Sequence, residues 1–381
     1  MTATATGLIP GLEGVVAAET RLSSVDGQAG ELIVRGYPIE ELAGNASFEE
    51  TLFLLWHDHL PDTVELAAFR ADIAAASRLP EATLLLLEAA AGAGCDQMDA
   101  LRMAVGSLSL DATPADASSP AQATRLVAAF PLIVASYQRL LEGRPVIEPR
   151  PELGIAANYL YMLAGVEAEP ARVRGLETYL NTVADHGLNA STFTARVIVS
   201  TESDLVSALT GAVGALKGPL HGGAPGPALD MVFDIREQGD AEGYLRRKIE
   251  AGERFMGFGH RVYKVRDPRA DVLAAAARRM YEDGGDMELF RLAAEVEELA
   301  LRLLEEYKPG RNLKTNVEYY TALLLHGIGL PVALFTPTFS IGRAAGWTAH
   351  CLEQTAQNRL IRPQSVYVGA RGRTWVRVEE R

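Results

Sequence analysis

The chain has 381 residues, 48% of them hydrophobic and 22% charged, with a formal net charge of −13. That is enough apolar material for a sizeable core, which excludes disorder as the main state, and the length suggests more than one domain or one large domain with an insertion. The acidic balance argues against non-specific binding to nucleic acid or to anionic membranes, but a local basic pocket could still take a small polyanion.

Met1 to Pro10 has no basic start followed by an apolar stretch, so no secretory signal is expected there. Short β-like pieces follow, such as Glu31 to Arg35 before Gly36. Beyond them the pattern is helical. Ser47 and Glu50 read as a capping box that opens a helix through Phe53 to Leu55, with Leu60-Pro61 as its stop. Further helices are expected over Leu66–Ala76, Leu84–Ala91, Ala123–Leu141, Ile155–Leu163 and Ser203–Leu216. The longest apolar runs, such as Leu84 to Leu87, fall well short of a membrane span. No strand alternation is sustained between residues 45 and 330, so the chain reads as mainly α. Gly222 to Pro227 is too rich in Gly and Pro to read as helix and is a candidate hinge. A more charged helical block then runs from about Asp230 to about Tyr307, closed by Lys308-Pro309-Gly310. The expected organisation is a large domain over 1–221 plus 329–381, with a smaller one over 222–328 inserted into it.

Several motifs fail on inspection. Gly211 to Lys217 has Leu216 where a phosphate-binding loop needs its second Gly, and Gly257-Phe258-Gly259 lacks the third Gly of a dinucleotide fingerprint. His57 and His59 stand two apart on a helix and point to different faces, which argues against a metal pair. His326 and His350 sit in apolar helical surroundings and read as core or edge histidines. Cys95 and Cys351 form neither a metal pattern nor a disulfide framework, which fits a reduced, cytoplasmic protein.

Three other histidines stand in unusual settings: Asp185-His186-Gly187, Leu220-His221-Gly222 and Gly259-His260-Arg261. A His beside glycines has close backbone access and N–H groups that can meet a ligand oxygen; the competing reading is a His that caps a helix before a glycine turn. Arg269 follows Asp267-Pro268, Arg343 lies among small residues, and Arg362 precedes Pro363. Arg clasps a carboxylate with two parallel N–H bonds, so this set suits a small di- or tricarboxylic acid. Glu318, in Asn316-Val317-Glu318-Tyr319-Tyr320, follows a basic loop and precedes an apolar helix. It reads equally as a partly desolvated base and as a first-turn Glu favoured by the helix dipole.

These stretches, with Asp26-Gly27, Arg35 to Pro38 and Phe335 to Phe339, occur in order over nearly the whole chain and closely resemble the citrate synthase family, in its short bacterial and archaeal form. The resemblance implies an all-α fold of two domains with a short β-containing N-terminal segment, forming a homodimer whose active site lies in the interdomain cleft. It implies condensation of an acyl-CoA with oxaloacetate followed by thioester hydrolysis, with acetyl-CoA as co-substrate and no metal. It assigns His221 to the thioester oxygen, Glu318 to the α-proton and His260 to the ketone. His186, Arg269 and Arg343 then hold oxaloacetate, Arg362 reaches in from the other subunit, and Lys264, Arg266, Lys308, Arg311 or Lys314 meet the CoA phosphates.

One departure stands out. The family commonly has Asp where this chain has Glu318. The extra methylene displaces the carboxylate by roughly 1 Å, and misplacement of that size can cost about 10²-fold in rate. Three activities fit the motifs: citrate synthase with acetyl-CoA, 2-methylcitrate synthase with propionyl-CoA, and a regulatory relative that binds these ligands with weakened turnover.

Overall fold

The computed structural model describes residues 8–111, 118–221, 225–260 and 262–381. A short three-stranded antiparallel sheet comes first: β1 (Ser23–Asp26), β2 (Glu31–Val34) and β3 (Tyr37–Pro38). Sixteen α-helices follow among the described residues. They are α1 (Ile39–Ala43), α2 (Phe48–His57), α3 (Thr63–Ala76), α4 (Glu81–Gly92), α5 (Gln97–Ser107), α6 (Pro120–Leu141), α7 (Ile155–Ala164), α8 (Pro170–Val183), α9 (Ala190–Val199), α10 (Leu205–Leu216), α11 (Pro225–Gln238), α12 (Ala241–Glu250), α13 (Pro268–Glu282), α14 (Met287–Tyr307), α15 (Val317–Ile328) and α16 (Phe335–Ala356). The fold is all-α apart from the small sheet, and the expected helices are present.

Local chemistry sets the helix starts. Both halves of the capping box form at α2, with Ser47 accepting from the Glu50 N–H and Glu50 reaching back to the Ser47 N–H. The hinge expectation needs correction at its second half. Gly222 to Ala224 lie outside the described residues, but Pro225 to Pro227 form the first turn of α11. A helix's first four N–H groups have no intrahelical acceptor, so proline costs nothing there and its fixed φ suits the turn.

Buried along most of its length, α16 packs against α2, α6, α8, α9 and α10. Its small residues allow close approach. A Cβ on Gly346 would sit 2.2 Å from the Ala184 carbonyl oxygen, and one on Gly342 would sit 2.9 Å from that of Leu180. From the 222–328 stretch, α13 and α15 pack on each other and on α8. Thus α8, α13, α15 and α16 converge, and the candidate residues sit where they meet. Among the described residues no single helix is long and apolar enough to cross a membrane.

Candidate active site

Three N-capped helices deliver reactive groups to this junction. Asn189 caps α9 through its bond from the Thr192 N–H, Asp267 caps α13, and Asn316 caps α15 by accepting the Glu318 N–H at 3.0 Å. The loops carrying His260 and Glu318 are tied together. Gly259 N donates to Lys314 O at 2.7 Å, Asn316 N to Gly257 O at 2.9 Å, and Asn316 Nδ2 to Gly259 O at 2.8 Å. Gly257 has φ +89°, and a Cβ there would meet the Tyr319 side chain at 2.8 Å. Only glycine fits that backbone at that distance.

His221 lies at the N-terminus of α9. The Ser191 backbone N–H points at its Nε2 from 3.3 Å, and the Ser191 hydroxyl lies 2.7 Å from the same atom. A backbone N–H can only donate, so Nε2 accepts and the ring proton is assigned to Nδ1. Burial, with the Arg343 charge second, pushes His221 down to about 4, so it is neutral at physiological pH and still a donor.

His260 shows the opposite tautomer. Its Nδ1 accepts the N–H groups of Val262 and Tyr263, each at 3.0 Å, which assigns the proton to Nε2. Burial, then the Arg269 charge, takes it also to about 4. The His186 and His260 rings lie 6.1 Å apart, and His186 Nε2 is 3.2 Å from the Tyr263 hydroxyl. Burial and the nearby arginines hold His186 well below the usual histidine value.

Two buried arginines face these histidines. Arg269 is gripped in a fork by Asp267, Nε to Oδ1 at 3.0 Å and Nη2 to Oδ2 at 2.8 Å. Arg343 donates Nε to the Val183 carbonyl at 2.7 Å and lies 4.8 Å from the centre of the Phe339 ring. Burial takes its guanidinium down to about 10, still fully charged at neutral pH. Burial also pushes Glu318 up to about 7, against the lowering pull of Arg269. The arrangement therefore joins two neutral imidazole donors, two cations suited to a dicarboxylate, and a carboxyl group poised as a base near neutrality.

A family model described as "Citrate synthase, C-terminal domain" matches residues 11–364. Citrate synthase of Haloferax volcanii is 41% identical over 379 residues, covering 97% of this chain and 98% of that protein. The 2-methylcitrate synthase of Mycobacterium tuberculosis is 40% identical over 364 residues, covering 94% and 90%. The chain belongs to the citrate synthase family. Among solved structures, citrate synthase from Pyrobaculum aerophilum superposes with a TM-score of 0.88 at 37% identity, covering 98% of this chain and 95% of that one. A Thermoplasma acidophilum citrate synthase in ternary complex with carboxymethyl coenzyme A and oxaloacetate gives 0.87 at 29% identity, covering 97% and 98%.

The remaining candidates fall elsewhere. Within this citrate synthase-family chain Arg362 is exposed beyond α16 and lines a groove with Arg35, Arg196 and Glu353, on different elements from the histidines. Arg266 is committed within the chain, to Asp271 at 2.5 Å and to the buried Glu297. Lys264, Arg311 and Lys314 are exposed and Lys308 is half-buried at the end of α14.

The structure also shows supporting groups that carry no local sequence signal. Trp347 Nε1 donates to Ser191 Oγ at 3.0 Å. Asp185, fully buried beside His186, accepts His350 Nε2 at 3.1 Å and the Ser23 hydroxyl, while the Gly187 N–H donates to Ser23 Oγ at 3.0 Å. Gly27, in the β1–β2 turn, accepts the Lys264 N–H at 2.8 Å, and a Cβ on it would lie 2.2 Å from the Val262 carbonyl oxygen.

Proposed function

We propose that the chain condenses acetyl-CoA with oxaloacetate and hydrolyses the resulting thioester, releasing citrate and CoA. The observation that carries this reading is the pairing of Glu318, with its value near 7, and His221, neutral with its proton on Nδ1. Glu318 removes a proton from the acetyl methyl as the Nδ1–H of His221 bonds the thioester oxygen, where charge develops. The enolate carbon then attacks the oxaloacetate ketone, whose oxygen takes a hydrogen bond from His260 Nε2–H. Water cleaves the citryl thioester. His186, Arg269 and Arg343 hold the dicarboxylate in attack geometry.

The active form is a homodimer, with Arg362 completing the partner's site. Residues 358–381 support this assembly: they extend past α16 as an exposed, arginine-rich arm on which Val368 is 92% and Trp375 76% exposed. The 222–328 segment acts as a small domain closing over the cleft, and exposed Lys264, Arg311 and Lys314 with Lys308 meet the CoA phosphates. The enzyme works in the cytoplasm.

Kinship to proteins of both names keeps 2-methylcitrate synthesis from propionyl-CoA as the second reading. One methylene is worth only about 1–3 kcal/mol in a pocket, so both acyl chains enter the test. Oxaloacetate-dependent thiol release is measured with acetyl-CoA and propionyl-CoA side by side. Faster release from acetyl-CoA supports the proposal, and faster release from propionyl-CoA replaces it. No release from folded protein that binds oxaloacetate turns the reading to a regulatory relative.

A further inference from the structure

Behind the site, one buried carboxylate gathers two of its supporting segments. Glu297 lies on α14, on the apolar face that it shares with Ala293, Ala300 and Leu304, and it is only 7% exposed. Its Oε1 accepts the Thr315 hydroxyl at 2.5 Å and also Arg266 Nη1, while its Oε2 accepts the Tyr320 hydroxyl at 2.5 Å. Thr315 and Tyr320 are themselves buried. Packing alone would be served there by an apolar side chain, and a carboxylate is costly to bury unless its bonds are made. What distinguishes Glu297 from a leucine at this place is the set of groups it joins.

Those groups flank the site on two segments. Thr315 stands just before Glu318 in the chain and Tyr320 just after it, so the two hydroxyls pin the start of α15 on either side of that carboxyl group. Arg266 lies in the loop between His260 and Arg269. The same face of α14 supplies a second tether one turn earlier, where the Ala293 carbonyl takes the Tyr319 hydroxyl at 2.6 Å. Main-chain contact between the two segments is weaker at this point, with Asp267 N donating to Thr315 O at 3.3 Å. The side chain of Glu297 therefore ties the helix carrying Glu318 to the loop leading from His260 to Arg269.

We propose that Glu297 is a positioning residue for the condensation, holding the start of α15, and with it Glu318, at a fixed place relative to the loop that carries His260. The inference rests on Glu318 being the base and His260 the donor to the ketone. The base has to reach the acetyl methyl while the ketone carbon stands in line with it, so the spacing of the two segments must hold through the reaction. Glu has one more rotatable bond than Asp, which makes a fixed main chain beneath it matter more. Arg266 serves this frame, with Glu297 on one side and Asp271 on the other.

The test compares three variants of the full-length protein. Glu297→Leu removes all three bonds and suits the apolar face. Glu297→Gln keeps an oxygen for Arg266 and Thr315 and turns its amide N–H toward the Tyr320 oxygen, so the frame survives without the charge. Tyr320→Phe deletes one bond only, and reads the same frame if the leucine variant does not fold. In thiol-release assays kcat of Glu297→Leu should fall about 10- to 100-fold, the scale for a base moved by roughly 1 Å, with KM for oxaloacetate unmoved. Tyr320→Phe should lose less, and Glu297→Gln should recover most of the parent rate. Unchanged kcat in Glu297→Leu and Tyr320→Phe overturns the proposal. Equal losses in Glu297→Gln and Glu297→Leu also overturn it, since the charge and not the alignment is then needed. So does a raised oxaloacetate KM with kcat unmoved, which places the effect on substrate holding. If the parent releases no thiol, the enzymatic reading fails separately, and hydrogen exchange decides the tie: peptides around Arg266 and around Glu318 should exchange faster together in Glu297→Leu, and acceleration of one alone overturns it.

Discussion

The backbone N–H of Ser191 lies 3.3 Å from Nε2 of His221, while the Ser191 side chain takes the Trp347 indole N–H at 3.0 Å. One residue thus sets a tautomer with its main chain and anchors a core tryptophan with its side chain. Ser191→Ala removes the second function and the hydroxyl contact to His221 Nε2, and keeps the main-chain bond that sets the tautomer. It should lower stability by about 1–2 kcal/mol, because the buried indole loses its acceptor, yet keep kcat within about tenfold. His221→Ala should cost about 10²–10³-fold in kcat, the scale for losing a donor at a developing oxyanion. Denaturant melts and steady-state thiol release measure the two.

The pH profile of kcat/KM should have its acid limb near pH 7, set by Glu318, since His221 and His260 remain neutral down to about 4. Glu318→Gln should abolish most turnover. Stability responds with a definite sign. Between the ordinary value of 4.5 and about 7 the folded chain holds a proton that the unfolded chain has released, so this group makes stability fall as pH rises through that window. The melting temperature of Glu318→Gln should therefore exceed that of the parent at pH 8 by more than it does at pH 5.

Asp267→Asn leaves Arg269 buried without its counter-charge. A loss of about 3 kcal/mol is expected, the scale for breaking a buried pair from one side, together with weaker oxaloacetate binding. Denaturant unfolding and calorimetric titration check both.

Gly257→Ala forces a side chain onto a left-handed backbone and into Tyr319, which comes within 2.9 Å at Cβ and 3.2 Å at Cα. Tyr319 of α15 or the loop must shift, so stability should drop by about 1–3 kcal/mol or more. Because Gly257 O accepts the Asn316 N–H, activity should fall with it. Gly214→Ala is the control, since the nearest atom to its added Cβ is the Arg102 side chain at 3.6 Å.

Mixing Arg362→Ala chains with His221→Ala chains should restore part of the lost activity if each site draws Arg362 from the neighbouring subunit. Heterodimers that form but stay inactive would remove Arg362 from the site.

The candidate site groups are legible in the sequence because each disturbs its surroundings. His186, His221 and His260 adjoin glycines, Arg269 and Glu318 open helices behind Asp and Asn caps, and Arg343 lies in a stretch of small residues. Their supports are silent. Ser191 and Trp347 are separated by 156 residues and Asp185 and His350 by 165, so nothing local marks either pair. His350 reads from sequence as a core or edge histidine, and it is fully buried, but its bond to Asp185 depends on how α16 lies against the end of α8. The Pro-rich start of α11 misleads for a different reason: composition marks proline as a breaker, whereas its effect depends on position within the helix.

The β1–β2 turn presses Gly27 onto Val262 and bonds Lys264, within the loop that joins His260 to Arg269. The amino-terminal hairpin is therefore part of the wall behind His260. A shortened expression version that begins after Pro38 should fold its helices and still turn over poorly. Conversely, sequence libraries confined to the Asp26–Gly30 turn offer an engineer a way to retune that loop without altering any of the candidate site residues.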